Sequence, residues 1–179
     1  MNYIILDLEA TCWQDRSIKN KHEIIEIGAV KINEERAIIS EFNAFIQPML
    51  HPELSDFCRK LTTITQSDID RAEGFKTVIT DFWNWINLDE DYLLCSWGFY
   101  DRSQFNKDCL LHGMRTDWLK HHISMKHQYA TIKHLRRPIG MDGALRMEKI
   151  PLKGTHHRGI DDARNIAQLF LKHFENWDY

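Results

Sequence analysis

Residues 3–9, Tyr-Ile-Ile-Leu-Asp-Leu-Glu, form a short apolar run that ends in two carboxylates, Asp7 and Glu9. A run of this length reads as a buried strand. Side chains alternate along a strand, so acids two apart point to the same face. Two like charges held together at the edge of a core cost about a few kcal/mol, or force one to protonate, unless a cation joins them. This strand end must therefore be solvated or bind positive charge.

Residues 23–33 are rich in Ile and Val and broken once, at Gly28; residues 37–46 follow the polar turn 33–36 and stop before Pro48. Three consecutive strands with short links predict an antiparallel meander. Beyond Pro52 the period changes. Phe75, Val78, Ile79, Phe82, Trp83 and Ile86 recur at helical spacing, which predicts an amphipathic helix whose aromatic residues belong to the core. Residues 92–97 read as a fourth strand and 101–112 as the helix after it, with shorter helices over 124–135 and 143–148 separated by Pro138 and Gly140. Ile160, Ala163, Ile166, Ala167, Phe170 and Phe174 mark a long C-terminal helix. The order predicts an α/β sheet flanked by helices, in a single domain over 1–179.

Lys and Arg number 23 against 26 Asp and Glu, a net charge of −3, so no overall basic field draws in nucleic acid or anionic membrane. Such a partner must meet a local patch. In 112–137, Arg115, Lys120, Lys126, Lys133, Arg136 and Arg137 stand against the single acid Asp117. That stripe either tracks phosphates or is a solvated face. The four cysteines, Cys12, Cys58, Cys95 and Cys109, are scattered without C-x-x-C spacing, which predicts reduced thiols and a cytoplasmic location, not a disulfide framework or zinc ribbon. Acid at position 7 leaves no room for a signal-peptide apolar region, and no apolar run approaches the ~18 residues of a membrane span. His121-His122 and His156-His157 predict no zinc site, because neighbours in sequence rarely face one metal. A G-x-S-x-G elbow, a phosphate-binding G-x-x-x-x-G-K-[ST] loop and a G-x-G-x-x-G fingerprint are all absent. Cys12, beside the acids, is expected to have a raised pKa and to be a poor nucleophile.

Two further acids open helices. Asp101 follows the fourth strand in Ser-Trp-Gly-Phe-Tyr-Asp, where an acid alone reads as a cap. Of the adjacent Asp161 and Asp162, the second lies beside the apolar stripe at ~100° per residue and can reach the sheet edge; the first caps the helix or faces water. Together, two acids on a strand and two at helix starts suit hard, oxygen-seeking cations such as Mg²⁺ or Mn²⁺. Two such ions about 4 Å apart clamp a phosphodiester. His157, five residues before Asp162, is placed to take a proton from water at neutral pH.

Asp7-Leu8-Glu9-Ala10-Thr11-Cys12-Trp13, then Asp101, then H-x4-D at His157 and Asp162, closely resembles the DEDDh 3′-to-5′ exonucleases, nearest the branch of KapD-like proteins and histone-mRNA 3′-end exonucleases. Residues 53–58, 61–65, Ser96-Trp97 and 159–167 share the likeness, which spans nearly the whole chain. The resemblance implies an RNase H-like fold with the first three strands antiparallel and later ones parallel. It implies two Mg²⁺ ions, replaceable by Mn²⁺, on Asp7, Glu9 and Asp162, with Asp101 acting through water and His157 as general base. It also implies release of 5′-mononucleotides from single-stranded 3′ ends, RNA before DNA, with Ala10, Thr11, Leu61, Thr62 and Ile64 around the terminal nucleotide. Two positions depart from the wider pattern: Trp97 stands where Asn is commoner, and Thr63 where many relatives have Gly. Trp97 suits stacking on the terminal base, the alternative being a core tryptophan. Rival readings are a catalytically silent nucleic-acid-binding or protein-interaction module on the same fold, and an endonuclease.

Overall fold

The computed structural model describes residues 1–15 and 22–179. Among them, β1 (Asn2–Ala10), β2 (Ile24–Ile32), β3 (Ile38–Phe45), β4 (Tyr92–Ser96) and β5 (His122–Ser124) form one sheet in the order β3-β2-β1-β4-β5. β1, β2 and β3 run antiparallel as a meander, while β4 and β5 are parallel to β1. The expected RNase H-like mixed sheet is the observed one. Strand β5 lies where the sequence predicts a helix start, because three residues with only Ile123 apolar carry no alternation to read.

Seven α-helices surround the sheet among the described residues. α1 (Asp56–Thr62) and α2 (Gln66–Asp70) are too short for a periodic stripe and are set by their caps. The Ser55 hydroxyl accepts from the Cys58 N–H, and Thr65 and Asp68 form a reciprocal capping box. α3 (Phe75–Ile86) and α7 (Gly159–Lys172) follow where the periodicity puts them, and α4 (Tyr100–Leu111), α5 (Met125–Ile132) and α6 (Met141–Glu148) fall close to the expected ranges 101–112, 124–135 and 143–148. Phe174 lies past α7, in the 3-10 turn Phe174–Asn176.

Alternation along β1 divides the core. Tyr3 and Ile5 face one way, into a cluster with Leu93, Cys95, Ile166 and Phe170; Ile4, Leu6 and Leu8 face the other, against Ile79, Phe82 and Phe105. Each large side chain buried this way contributes about 1.5–3 kcal/mol. β4 pairs with β1 only as far as Leu6–Ser96, whereas β1 continues beside β2 to Ala10. The last residues of β1 therefore present an open side at the carboxyl end of the parallel pair, the place where α/β sheets bind ligands.

Candidate active site

Asp7 and Glu9 continue the face of β1 that Tyr3 and Ile5 begin, and α7 covers that face. Asp162 comes in on the first turn of α7, and one carboxylate oxygen from each of Asp7, Glu9 and Asp162 lies within 4.8 Å of the others. The approach is close because two glycines meet. A Cβ on Gly28, the partner of Asp7 in β2, would stand 2.0 Å from the Gly159 carbonyl carbon. Glu26, fully buried, fixes the crossing by accepting from the Gly159 N–H at 3.0 Å and from Arg158 Nε at 3.1 Å.

The two adjacent aspartates part as the helical angle predicts. Asp162 is 4% exposed and accepts from the His157 N–H at 3.0 Å. Asp161 turns away, accepting from the Thr155 N–H at 2.8 Å and pairing with Arg164. Asp101 enters on the first turn of α4, buried, and accepts from the Leu8 N–H at 3.3 Å, a donor that β4 stops too early to satisfy. All four acids, with His156, His157, Trp97, Tyr100 and Lys126, line one cleft of about 380 Å³.

Among the described residues, Asp7, Glu9 and Asp101 lack a cation to balance their charge. Burial, then repulsion from Asp101, Glu9 and Asp162, holds the Asp7 carboxyl well above its ordinary range. Burial, then Asp162 and Glu26, raises Glu9 to about 8, and burial raises Asp101 to about 6 against its hydrogen bonds. Hard oxygen donors within reach of one another, with charge left unbalanced, fit divalent cations. Asp7, Glu9 and Asp162 are placed to hold them, with Asp101 beside them in the cleft.

His157 borders the cleft, half-buried, and its imidazole is lowered by burial and by His156, against the pull of Asp162. A lowered pKa keeps the ring neutral and able to accept a proton near pH 7. One expectation needs correction. The sequence argued against adjacent histidines facing one group, yet the His156 and His157 rings stack with centroids 4.0 Å apart, and each offers a ligand atom within 4.8 Å of Asp162. His157 adopts a left-handed backbone, φ 65°, in the tight loop that brings the two rings together. His156 Nδ1 lies 3.0 Å from Asp162 Oδ2, an approach the sequence did not signal.

The residues proposed around the terminal nucleotide are mostly committed to the fold. Trp97 is 8% exposed and donates from Nε1 to the Ile139 carbonyl at 3.0 Å, so it walls the cleft as a core residue and is not a free stacking platform. Ala10 and Thr11 are buried; the Thr11 N–H donates to the Glu23 carbonyl, and its hydroxyl accepts from the Glu23 N–H. Thr62 is buried and donates to the Cys58 carbonyl, Ile64 packs with Ile25, Leu54 and Ile69, and Leu61 is half-buried. None of these five lines the cleft of the acids. Thr63 caps α1 at φ 61°, which explains why glycine suits that position.

The basic segment is not one stripe. Arg115 pairs with Asp117 and Lys133 with Glu148, while Lys126 lines the cleft. The Cys12 thiol is raised as expected, but its hydrogen bond with Cys58 and then burial cause most of it, Glu9 the least. Tyr100 and His156 are cleft residues for which the sequence suggested no role there, and Lys126 entered it only as one member of the basic segment. Glu26 carried a signal, an acid inside an otherwise apolar strand.

The family model for exonucleases matches residues 4–170. ERI1 exoribonuclease 2 of Xenopus laevis is 34% identical over 93% of this chain, and human 3′-5′ exoribonuclease 1 is 32% identical over 94%. The chain spans 27% of the first relative's length and 51% of the second's. The solved nuclease domain of 3′hExo, a DEDDh family member bound to rAMP, superposes with a TM-score of 0.91 at 30% identity, covering 97% of this chain and 92% of that one. A 3′-exonuclease solved in recognition of the 3′ end of the histone mRNA stem-loop gives 0.91 at 29%, covering 97% and 81%. With its acids converging as that fold requires, the chain belongs to the exonuclease family, in the divalent-metal-dependent DEDDh group.

Proposed function

We propose that residues 1–179 form one exonuclease domain that shortens single-stranded RNA from a free 3′ hydroxyl, releasing 5′-mononucleotides with two Mg²⁺ ions, replaceable by Mn²⁺. The carrying observation is the meeting of Asp7, Glu9 and Asp162 within one another's reach in a cleft that also contains Asp101 and His157. Bound divalent ions supply polarisation of the phosphodiester and relief of its developing charge. The chain's own groups do the rest. Asp7, Glu9 and Asp162 hold the ions, and Asp101 steadies the end of β1 through the Leu8 N–H. The neutral His157 imidazole accepts the proton of the attacking water, and the 3′ oxygen of the shortened strand leaves. Trp97 and Tyr100 bound the space on one side. RNA as substrate is supported by the relatives named exoribonucleases, and a reducing compartment, the cytoplasm, by four unbridged thiols.

The test is a Mg²⁺-dependent assay on matched 5′-labelled RNA and DNA oligonucleotides at one salt concentration. A ladder of products, faster on RNA, is expected; circular strands should resist. No shortening of either polymer with Mg²⁺ or Mn²⁺ would leave the silent binding module. His157→Ala should slow turnover by about 10²–10⁴-fold, the range for a lost general base.

A further inference from the structure

The outward face of α4 is built unlike the face that carries Asp101. Asp101, Gln104, Phe105 and Asp108 point inward and are buried. Phe99, Arg102, Ser103 and Asn106 recur at helical spacing on the opposite side, all exposed, and line a groove of about 600 Å³. Thr116 and Lys120, flanking the 3-10 turn Asp117–Leu119, form its other bank. Arg102 and Lys120 make no ion pair among the described residues, and Asp117, the acid of this groove, is held by Arg115 Nε at 2.7 Å. The groove therefore offers two cations outside any ion pair, Lys120 standing near enough to Asp117 to feel its charge, and several neutral hydrogen-bonding groups.

It also adjoins the cleft of the acids. Segment 97–100 is the partition: Trp97, Gly98 and Tyr100 line the cleft, and Phe99 lines the groove. Phe99 is 53% exposed and rests one ring face on His127, centroids 5.0 Å apart, leaving apolar surface at the mouth. Tyr100, beside it, is 50% exposed. Exposed rings followed by unpaired cations are the components of a single-strand path, in which bases stack and phosphates meet charge.

We propose that this groove binds the nucleotides upstream of the scissile phosphate, the strand passing from the cleft over Tyr100 and Phe99 and setting its phosphates against Arg102 and Lys120. The inference rests on the exonuclease reading and adds where the retained strand lies. Hydrolysis of 5′-labelled diadenylate, which carries only the scissile linkage and no upstream phosphodiester, is compared with that of octa-adenylate, which has six further linkages to set along the groove. In the wild type, KM should fall with length. In Arg102→Ala/Lys120→Ala, the KM for the octamer should rise at least tenfold, that for the dimer less than twofold, and the salt dependence for the octamer should flatten by about 0.7 for each phosphate no longer neutralised. Phe99→Ala should raise the octamer KM about tenfold, the worth of one base stack. An unchanged ratio of octamer to dimer KM in these variants, or an equal rise for both, overturns the groove while leaving the exonuclease intact. A wild type that cuts neither length overturns both.

Discussion

Two sets of buried acids in this molecule receive opposite treatment. Glu148, at the end of α6, accepts from Tyr129 Oη at 2.8 Å, lies 2.9 Å from Lys133 Nζ and 3.2 Å from Lys172 Nζ, and meets His173 Nε2 at 3.0 Å. Burial works against its charge, yet these hydrogen bonds win and hold the carboxyl at about 2. In the cleft, burial and mutual repulsion meet no comparable set of cations, and Glu9 rises to about 8. The first acid is finished by the fold and ties three helices together. The second set is left to be completed by something the fold does not supply, which is how a binding site differs from a structural knot.

That contrast can be broken in order of size. Asp7→Asn should cost at least about a thousandfold in turnover by removing an ion ligand, while the metal-free protein melts no lower, because the exchange relieves repulsion. A parallel loss of activity and melting temperature would show that Asp7 also holds the fold. Glu148→Gln should do the reverse, losing about 1.5 kcal/mol in urea titrations through its weakened bonds to Lys133, Lys172 and His173, with turnover of the folded fraction within about twofold.

The pH profiles should also diverge. Glu148 has a folded pKa below its unfolded one, so its stabilisation is complete above about 4.5 and is lost as pH falls toward about 2. Glu9 has a folded pKa above its unfolded one, so chelated protein should lose stability as pH rises from about 4.5 to about 8. Mg²⁺ should therefore raise the melting temperature more at pH 8 than at pH 5.5; an equal rise at both would separate the ion from these carboxylates. The smallest effect compares neighbours. Asp161→Asn should cost about 1 kcal/mol, the worth of its bonds to Thr155 and Arg164, and leave turnover close to wild type, whereas Asp162→Asn should abolish it.

What the sequence revealed follows from which forces are periodic. The meander, α3 and α7 announce themselves through apolar spacing, and the same two periods place Asp7, Glu9 and Asp162 correctly on their faces. β5, α1 and α2 escape because three, seven and five residues are too few to carry a period. His156 escapes for another reason: its approach to Asp162 belongs to a loop, where no side-chain period operates. Trp97 looked available because its place in the motif is known but its burial is not; Ile139, 42 residues away in sequence, decides that. Asp101 reads as a cap until β4 is seen to end before Leu8.

Gly28 looked like a flaw in β2. It is better understood as a missing spacer. Two bare α-carbons, Gly28 and Gly159, let backbone ride on backbone where α7 crosses the sheet, so the gap between ligands is gauged by residues that contribute no chemistry. A methyl group at Gly28 would wedge the jaws of the site apart while leaving every acid in the sequence. A search for working members of this architecture should therefore look for the empty positions as well as for the charged ones.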